Sequence, residues 1–277
     1  MACQYTPVMA KITRKPLLKS TSTASKRARN SQGPRANQPK RDKARKIAAK
    51  PKGAGAKRSP KAFRPWTPAE VHEAFSRFRK ANPEPKGELE HLNPYTLLVA
   101  VVLSAQATDA GVNKATRALF EVADTPQKMI ALGEEKLRDY IKTVGLYRTK
   151  AKNVIALSRK LIAEFGGEVP RTRVEIESLP GAGRKTANVV LNMAFGERTL
   201  AVDTHVFRVS NRTGLARGDT PLEVELGLER VIPPEFMLHA HHWLILHGRY
   251  TCLARKPRCA VCLINDLCRW PEKTVQA

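Results

Sequence analysis

The strongest constraint on the fold is a turn, Pro180-Gly181-Ala182-Gly183, that opens directly into a helical pattern. Proline lacks an amide donor and glycine accepts positive φ angles, so this run cannot continue a helix and predicts a tight corner. The apolar residues behind it recur at helical spacing: Ala187, Val190, Leu191 and Ala194. At about 100° per residue they form one stripe, which leaves Lys185 facing away from the core.

This corner is suited to binding an anion. The turn glycines Gly181 and Gly183 lead into a helix N-terminus, whose unpaired backbone N–H groups suit a phosphate, and Arg184 adds positive charge beside them. The partner indicated is a phosphodiester backbone. The plain alternative is an ordinary corner between two helices with a solvated Lys185.

A carboxylate follows the lysine at a fixed separation. Asp203 lies eighteen residues after Lys185, between the apolar run 199–202 and the start of another helical pattern at Thr204. An Asp in this position is typical of an N-cap, and the amide donors of a cap keep a carboxylate ionised. An ionised Asp203 near Lys185 can stabilise a developing cation, so capping and catalysis are compatible.

These two motifs carry a family resemblance. The sequence LPGAGRKTA at 179–187, followed by VDTHV at 202–206, resembles the helix-hairpin-helix DNA glycosylases, and closely the endonuclease III branch. The resemblance implies that Lys185 is a nucleophile and that Asp203 stabilises positive charge on the sugar. A lysine with an ordinary pKa near ~10.4 is a poor nucleophile at neutral pH, so we expect burial in a cleft and the neighbouring Arg184 to lower it.

Helical patterns fill the rest of the globular chain. Thr67 to Glu70 is a capping box, Asn93 with Pro94 opens an apolar helix to Ala105, and Asp109 is expected to cap the next one. A long helix follows 145–147 and stops at 166–167. Because no strand alternation appears, the sequence predicts an all-α fold. The resemblance implies two helical lobes with DNA in the cleft: a six-helix lobe at 87–198 and a metal-cluster lobe from 65–86 and 199–277.

Two loop residues gain a role from the resemblance. By spacing alone, Gln106 and Leu146 are residues at helix ends. The run LSAQATD matches the family loop whose Gln fills the gap left by a flipped nucleotide, and GLY at 145–147 matches the loop whose Leu wedges the opposite strand. A polar filler and an apolar wedge are what unstacking a base pair requires.

The positive charge is concentrated at the N-terminus. Residues 1–64 hold 19 Lys and Arg against one acid, Asp42, and so account for +18 of the net +24. With little apolar surface, this segment is expected to be a disordered basic tail. It is interpreted as a DNA tether, with a transit peptide or a solubilising extension as alternatives. No apolar run could span a bilayer, so we expect a cytoplasmic, nucleoid-associated protein.

Four cysteines crowd the C-terminus with the spacing C-x6-C-x2-C-x5-C: Cys252, Cys259, Cys262 and Cys268. Crowded thiols in a chain of this kind argue for a metal rather than disulfides, and the chemistry alone fits either zinc or a 4Fe-4S cluster. The resemblance to the endonuclease III cysteine loop implies a 4Fe-4S cluster. Between the first two ligands Arg255, Lys256 and Arg258 form a basic loop, interpreted as a phosphate-contact surface.

A second group of metal-binding residue types lies in the segment 239–247, which contains His239, His241, His242 and His247. Apolar residues run through the same segment, so it reads as a buried helix with satisfied histidines. The resemblance assigns it to packing. We therefore expect no metal ligand there.

The resemblance, which spans 66–270, implies a bifunctional DNA glycosylase and AP lyase of base excision repair. Its substrate would be double-stranded DNA with oxidised or damaged pyrimidines or abasic sites, and it would act as a monomer. An adenine mismatch glycosylase would lack Lys185 and carry a further C-terminal domain. A non-catalytic helix-hairpin-helix binder would not need Lys185 with Asp203, and ferredoxin-type carriers are seldom this basic.

Overall fold

The computed structural model describes residues 64–274, and all regular secondary structure within that range is helical. It forms α1 Pro68–Ala81, α2 Pro94–Ser104, α3 Asp109–Val122, α4 Pro126–Leu132, α5 Glu134–Ile141, α6 Tyr147–Phe165, α7 Arg173–Glu177, α8 Arg184–Phe195, α9 Thr204–Thr213, α10 Pro221–Val231, α11 Met237–Tyr250 and a short 3-10 turn, Cys259–Val261. The all-α prediction is confirmed. The predicted basic tail, apart from Arg64, lies outside the described residues.

The predicted starts of α1 and α2 are confirmed by their caps. The Glu70 amide donates to Thr67 Oγ1 at 3.2 Å, and the Thr67 amide donates back to Glu70 Oε2 at 2.7 Å. Asn93 and Thr96 form the corresponding pair at the start of α2. Each box satisfies donors that a helix start would otherwise leave unpaired.

The predicted cap of α3 is wrong by one residue. The N-cap is Thr108, whose Oγ1 accepts from the Gly111 amide at 3.2 Å, and Asp109 is the first helical residue. A threonine hydroxyl placed one residue earlier reaches the N3 amide, so the Asp109 carboxylate is released. It pairs with Arg249 instead, at 2.6 Å.

A first hydrophobic core is built by α2 to α8. Its centre is α2, in which every residue from Tyr95 to Leu103 is buried, as the all-round apolar pattern predicted. Leu119, Leu137 and Leu161 pack around it from α3, α5 and α6 and are fully buried. The range 87–198 thus contains seven helical segments, the shortest of five residues.

A second hydrophobic core is built by α1, α9, α10, α11 and the segment after α11. Aromatic rings dominate it, with Phe75 stacked on Phe236 at 5.8 Å between centroids and Trp243 beside both. The histidines His241, His242 and His247 of α11 are buried, as predicted. The prediction that these histidines are satisfied is wrong for His242, because its buried Nδ1 has no hydrogen-bond partner among the described residues.

The link between α8 and α9 runs between the two cores. Leu200 packs in the second core and Ala201 in the first, so Asp203 lies where the two cores meet. The division into lobes at 86/87 and 198/199 stays a prediction. No helix within residues 64–274 has the length and apolar character needed to cross a membrane.

Candidate active site and metal centre

The glycine corner positions Lys185. Gly181 has φ +82°, and a Cβ placed there would lie 2.9 Å from Asn153 Nδ2, so the turn requires glycine. Gly183 is the N-cap of α8 and contributes no side-chain cap, which leaves the first amides of the helix open. Lys185 is the second residue of α8 and is exposed, not buried as expected.

The predicted cap at Asp203 is confirmed. Asp203 Oδ1 accepts hydrogen bonds from the amides of His205 and Val206, each at 2.8 Å, and so begins α9. Both bonds fall on Oδ1 and fix the carboxylate at the start of α9.

Lys185 and Asp203 line one cavity. It holds about 570 Å³ of empty space between the two cores and continues into an open groove of about 1700 Å³ that both residues also line. The structure therefore brings the two predicted catalytic residues to a common site.

Several residues of α11 line the same cavity, and two of them, His241 and Arg249, were not assigned a role at this site from the sequence. Burial lowers the pKa of His241 to about 3, so its imidazole is neutral. Its Nδ1 donates to the Ala201 carbonyl at 2.8 Å, which leaves Nε2 as an acceptor. Arg249 pairs with Asp109 and with Glu88 at the cavity edge. Such partners lie far apart in sequence, so no local pattern indicates them.

The predicted filler and wedge adopt left-handed backbone conformations. Gln106 has φ 56° and Leu146 has φ 58°, and both side chains are exposed, Leu146 to 64%. A non-glycine residue in this region costs about 1–3 kcal/mol, and such strain is typical of functional sites. Gln106 lines the open groove with Lys185, and a Cβ on Gly145 would lie 3.8 Å from the Gln106 carbonyl. The two loops are therefore neighbours.

Arg184 is committed to an internal partner. Its Nη2 donates to Glu225 Oε1 at 2.7 Å and its Nε donates at 3.0 Å, and Glu225 is only 3% exposed. This pair ties the start of α8 to α10. The expected influence of a free Arg184 charge on Lys185 is therefore reduced, because Glu225 compensates it.

The basic loop lies at the cysteine cavity, away from the catalytic pocket's lining residues. Arg255, Lys256 and Arg258 are all exposed, and Lys256 has φ 49°. Among the residues from 64 to 274 the non-glycine residues with positive φ are Gln106, Leu146 and Lys256. All three belong to the set predicted to touch DNA.

The four cysteines surround one small cavity. Cys252, Cys259, Cys262 and Cys268 are free thiols that line about 300 Å³ of empty space. Burial raises the pKa of Cys262 to about 11 and also raises that of Cys268, so their thiolates require cationic partners.

Neighbouring donors also fit a thiolate-ligated cluster. Arg212 Nη1 lies 3.6 Å from Cys252 Sγ, and His247 Nε2 lies 3.7 Å from Cys262 Sγ. Four thiolates with hydrogen-bond donors at the sulfurs are the ligand set of a 4Fe-4S cluster.

Comparison with known proteins identifies the family. The model of the HhH-GPD superfamily of base excision DNA repair proteins matches residues 99–234, and that of the iron-sulfur binding domain of endonuclease III matches residues 252–268. Endonuclease III from Treponema pallidum is 61% identical over 198 residues, which cover 72% of this chain and 94% of the relative. Endonuclease III from Escherichia coli is 57% identical over 201 residues, 73% and 95% of the two chains.

Two similar solved structures are also of endonuclease III. A trapped covalent intermediate of endonuclease III with DNA aligns with a TM-score of 0.69 and 49% identity, covering 73% of this chain and 96% of that one. A non-covalent endonuclease III–DNA complex aligns with the same score and identity and covers 73% and 95%. The activity implied by the sequence, DNA glycosylase and AP lyase, and the 4Fe-4S cofactor are those of this group. The chain belongs to the endonuclease III family of DNA glycosylases in base excision repair.

Proposed function

We propose that Lys185 is the nucleophile and Asp203 the assisting carboxylate of this glycosylase and lyase. The observation that carries the proposal is that both side chains line one cavity between the two cores. Asp203 is held in place by its two cap bonds, and Lys185 can reach a sugar because it is exposed at the helix start.

The chemistry follows from these two groups. The Lys185 amine attacks C1′ of the flipped nucleotide, the C1′–N bond breaks, and the base leaves with the bonding electrons. Asp203 stabilises the positive charge that develops on the sugar. Opening of the sugar ring gives a Schiff base at C1′, which makes a C2′ proton acidic. Its removal, assisted by Asp203, breaks the C3′–O3′ bond and cuts the strand.

The neutral His241 contributes a hydrogen-bond acceptor, Nε2, to the pocket that also holds Lys185. Burial disfavours its protonated form, so His241 is not the base that removes a proton from Lys185.

Gln106 and Leu146 are proposed to enter the duplex when the nucleotide leaves it. Gln106 would fill the gap and Leu146 would wedge the opposite strand. Their neighbouring loops, exposed side chains and left-handed backbones support this role, because strain of this kind clusters at functional sites.

The DNA backbone is proposed to contact the corner at Gly181 and Gly183 and the basic loop of Arg255, Lys256 and Arg258. The open amides at the start of α8 support the first contact, and three exposed cations beside the cluster cavity support the second. Arg184 acts here mainly by anchoring α8 to Glu225.

The substrate is proposed to be duplex DNA with oxidised or damaged pyrimidines or abasic sites. The cavity that Lys185 and Asp203 line opens into a surface groove through which a flipped base can enter, and a damaged pair costs less to open. The enzyme is proposed to act as a monomer on the DNA of the nucleoid. The bound cluster orders the C-terminal loop, and the cysteines Cys252, Cys259, Cys262 and Cys268 hold it.

A cleavage panel tests the proposal. Duplexes with thymine glycol, an abasic site or an adenine mispair are incubated with the wild type, Lys185→Ala and Asp203→Asn. We expect cleavage at thymine glycol and the abasic site, and a loss of roughly 10²-fold or more for each variant. Preferred action on the adenine mispair would transfer the protein to the mismatch-specific branch.

The basic tail, residues 1–64, is proposed to tether the enzyme to undamaged DNA through its +18 charge. Deleting it should weaken non-specific binding and reduce the slope of log K against log salt, because fewer counterions are released. The measurement is a salt titration of binding to an undamaged duplex. An unchanged slope would refute the tether.

A further inference from the structure

A buried lysine connects the two loops that are proposed to enter DNA. Lys150 lies in the first turn of α6 and is only 5% exposed. Its Nζ donates to the Leu103 carbonyl at 2.9 Å and to the Ala105 carbonyl at 2.6 Å, at the end of α2. Its backbone amide donates to the Leu146 carbonyl at 3.1 Å. One residue therefore bonds to both loops.

The bonded carbonyls control the strained backbone directly. The Ala105 carbonyl and the Gln106 nitrogen lie in one peptide plane. A bond that fixes the direction of this carbonyl fixes that plane, from which the rotation about the Gln106 N–Cα bond, its φ angle, is measured. The Leu146 carbonyl belongs to the next peptide unit after Leu146 and fixes the Leu146 ψ. Both residues are left-handed, with φ 56° and 58°, and neither has the freedom of glycine.

The positive charge of Lys150 is favourable at the C-terminal end of α2. Its partners are backbone carbonyls at the C-terminal end of α2, where the helix dipole favours a cation. Burial lowers the pKa of Lys150, since the ammonium has left water. An apolar side chain of the same length would fill this space without that penalty, so packing alone does not require a lysine here.

We propose that Lys150 is a positioning residue: it is anchored by its backbone one turn after Leu146, and its ammonium holds Gln106 in one fixed arrangement relative to Leu146 for insertion into DNA. The proposal rests on the proposed roles of Gln106 and Leu146. It adds that the ammonium of Lys150 acts through the Ala105–Gln106 peptide and not on the reacting sugar.

The experiment compares strand cleavage at an abasic site in a fully paired duplex with cleavage at the same site in an unpaired bubble, under single-turnover conditions. Only the paired duplex requires insertion. Lys150→Met removes the donors and keeps the side-chain length. We expect it to slow cleavage of the paired duplex by about tenfold, because a small misplacement of a positioning group lowers the rate strongly. The rate on the bubble should stay within about twofold of the wild-type rate.

A double variant distinguishes action through Gln106 from a general loss of stability. If Lys150 acts through Gln106, Lys150→Met combined with Gln106→Ala should cleave the paired duplex no more slowly than Gln106→Ala alone. The matched control is Lys152→Met, which removes an equal charge from an exposed position on the same helix. It should leave both rates within about twofold.

The outcomes separate the inference from the proposed function. Three outcomes overturn the inference and leave the proposed function intact. In the first, Lys150→Met slows cleavage of both substrates equally. In the second, its effect adds to that of Gln106→Ala in the double variant. In the third, Gln106→Ala slows cleavage of the paired duplex and Lys150→Met does not. A silent Gln106→Ala removes the proposed role of Gln106 and the inference with it. If Lys150→Met does not fold, Lys150→Gln is used, since it keeps two donors without charge.

Discussion

The two hydrophobic cores are stabilised in different ways. The first, from α2 to α8, is mostly aliphatic and is wrapped around a helix that is buried on every side. The second combines aromatic rings, buried histidines and the segment 251–274, in which the turn Cys259–Val261 is the only regular element. Where regular helices end, metal ligation and arginine–carbonyl bonds replace packing. The first core should therefore respond to lost volume and the second to lost bonds.

The largest expected effect is removal of a cluster ligand. Cys259→Ser should abolish the visible absorption of the cluster and destabilise the second core by about 4 kcal/mol or more, because loss of a metal site ranks among the most damaging changes. Hydrogen exchange should accelerate at 250–274 while α2 to α8 stay protected. Equal loss of protection in both cores would contradict the comparison.

The next effect belongs to the first core. Leu98 is fully buried in α2, so Leu98→Ala should cost about 3 kcal/mol through lost burial and a residual cavity. Chemical denaturation measures the loss, and the absorption of the cluster should persist in the native variant. Release of the cluster by this substitution would show that the two cores do not respond separately.

Arg212 tests the polar bonds of the second core. It donates to the Leu253 and Ala254 carbonyls at 2.6 and 3.0 Å and lies 4.6 Å over the Trp270 ring. Arg212→Met should cost about 2 to 3 kcal/mol, because two charge-assisted bonds are lost. Denaturation and the rate of cluster release measure it. Arg212→Lys keeps the charge without the planar fork and should recover only part of the loss.

The smallest effect is a dependence on pH that the second core should show. Burial lowers the pKa of His242 to about 4, below its unfolded value near ~6.5. Protons therefore bind the unfolded chain first, and stability present above pH ~6.5 is lost as the pH falls towards 4. At pH 5 the loss from His242 should be about 1 to 2 kcal/mol. His242→Gln should flatten the denaturation-derived pH profile, and an unchanged profile would contradict the assignment.

Features with a local cause were predictable from the sequence. The caps at Thr67, Asn93 and Asp203 depend on residues three or fewer positions away, and the structure confirms them. The burial of α2 follows from its continuous apolar composition, and that of α11 from the apolar residues between its histidines. The shift from Asp109 to Thr108 shows the limit of this method, because two adjacent residues compete for one cap.

Features that depend on distant partners were not predictable. The pairing of Arg184 with Glu225 joins residues 41 positions apart, and Lys150 reaches carbonyls 45 and 47 positions away. The left-handed conformations of Gln106 and Leu146 also leave no local mark, since neither is glycine. They exist because the surrounding structure determines them.

The central claim is that the amine of Lys185 bonds to the sugar, and covalent trapping tests it most directly. The protein is reduced with borohydride on an abasic duplex, digested, and the adduct is located by mass spectrometry. Lys86 lines the same cavity and is the competing amine. We predict the adduct on Lys185, normal trapping by Lys86→Ala and none by Lys185→Ala. An adduct on Lys86, or trapping that survives Lys185→Ala, would contradict the account.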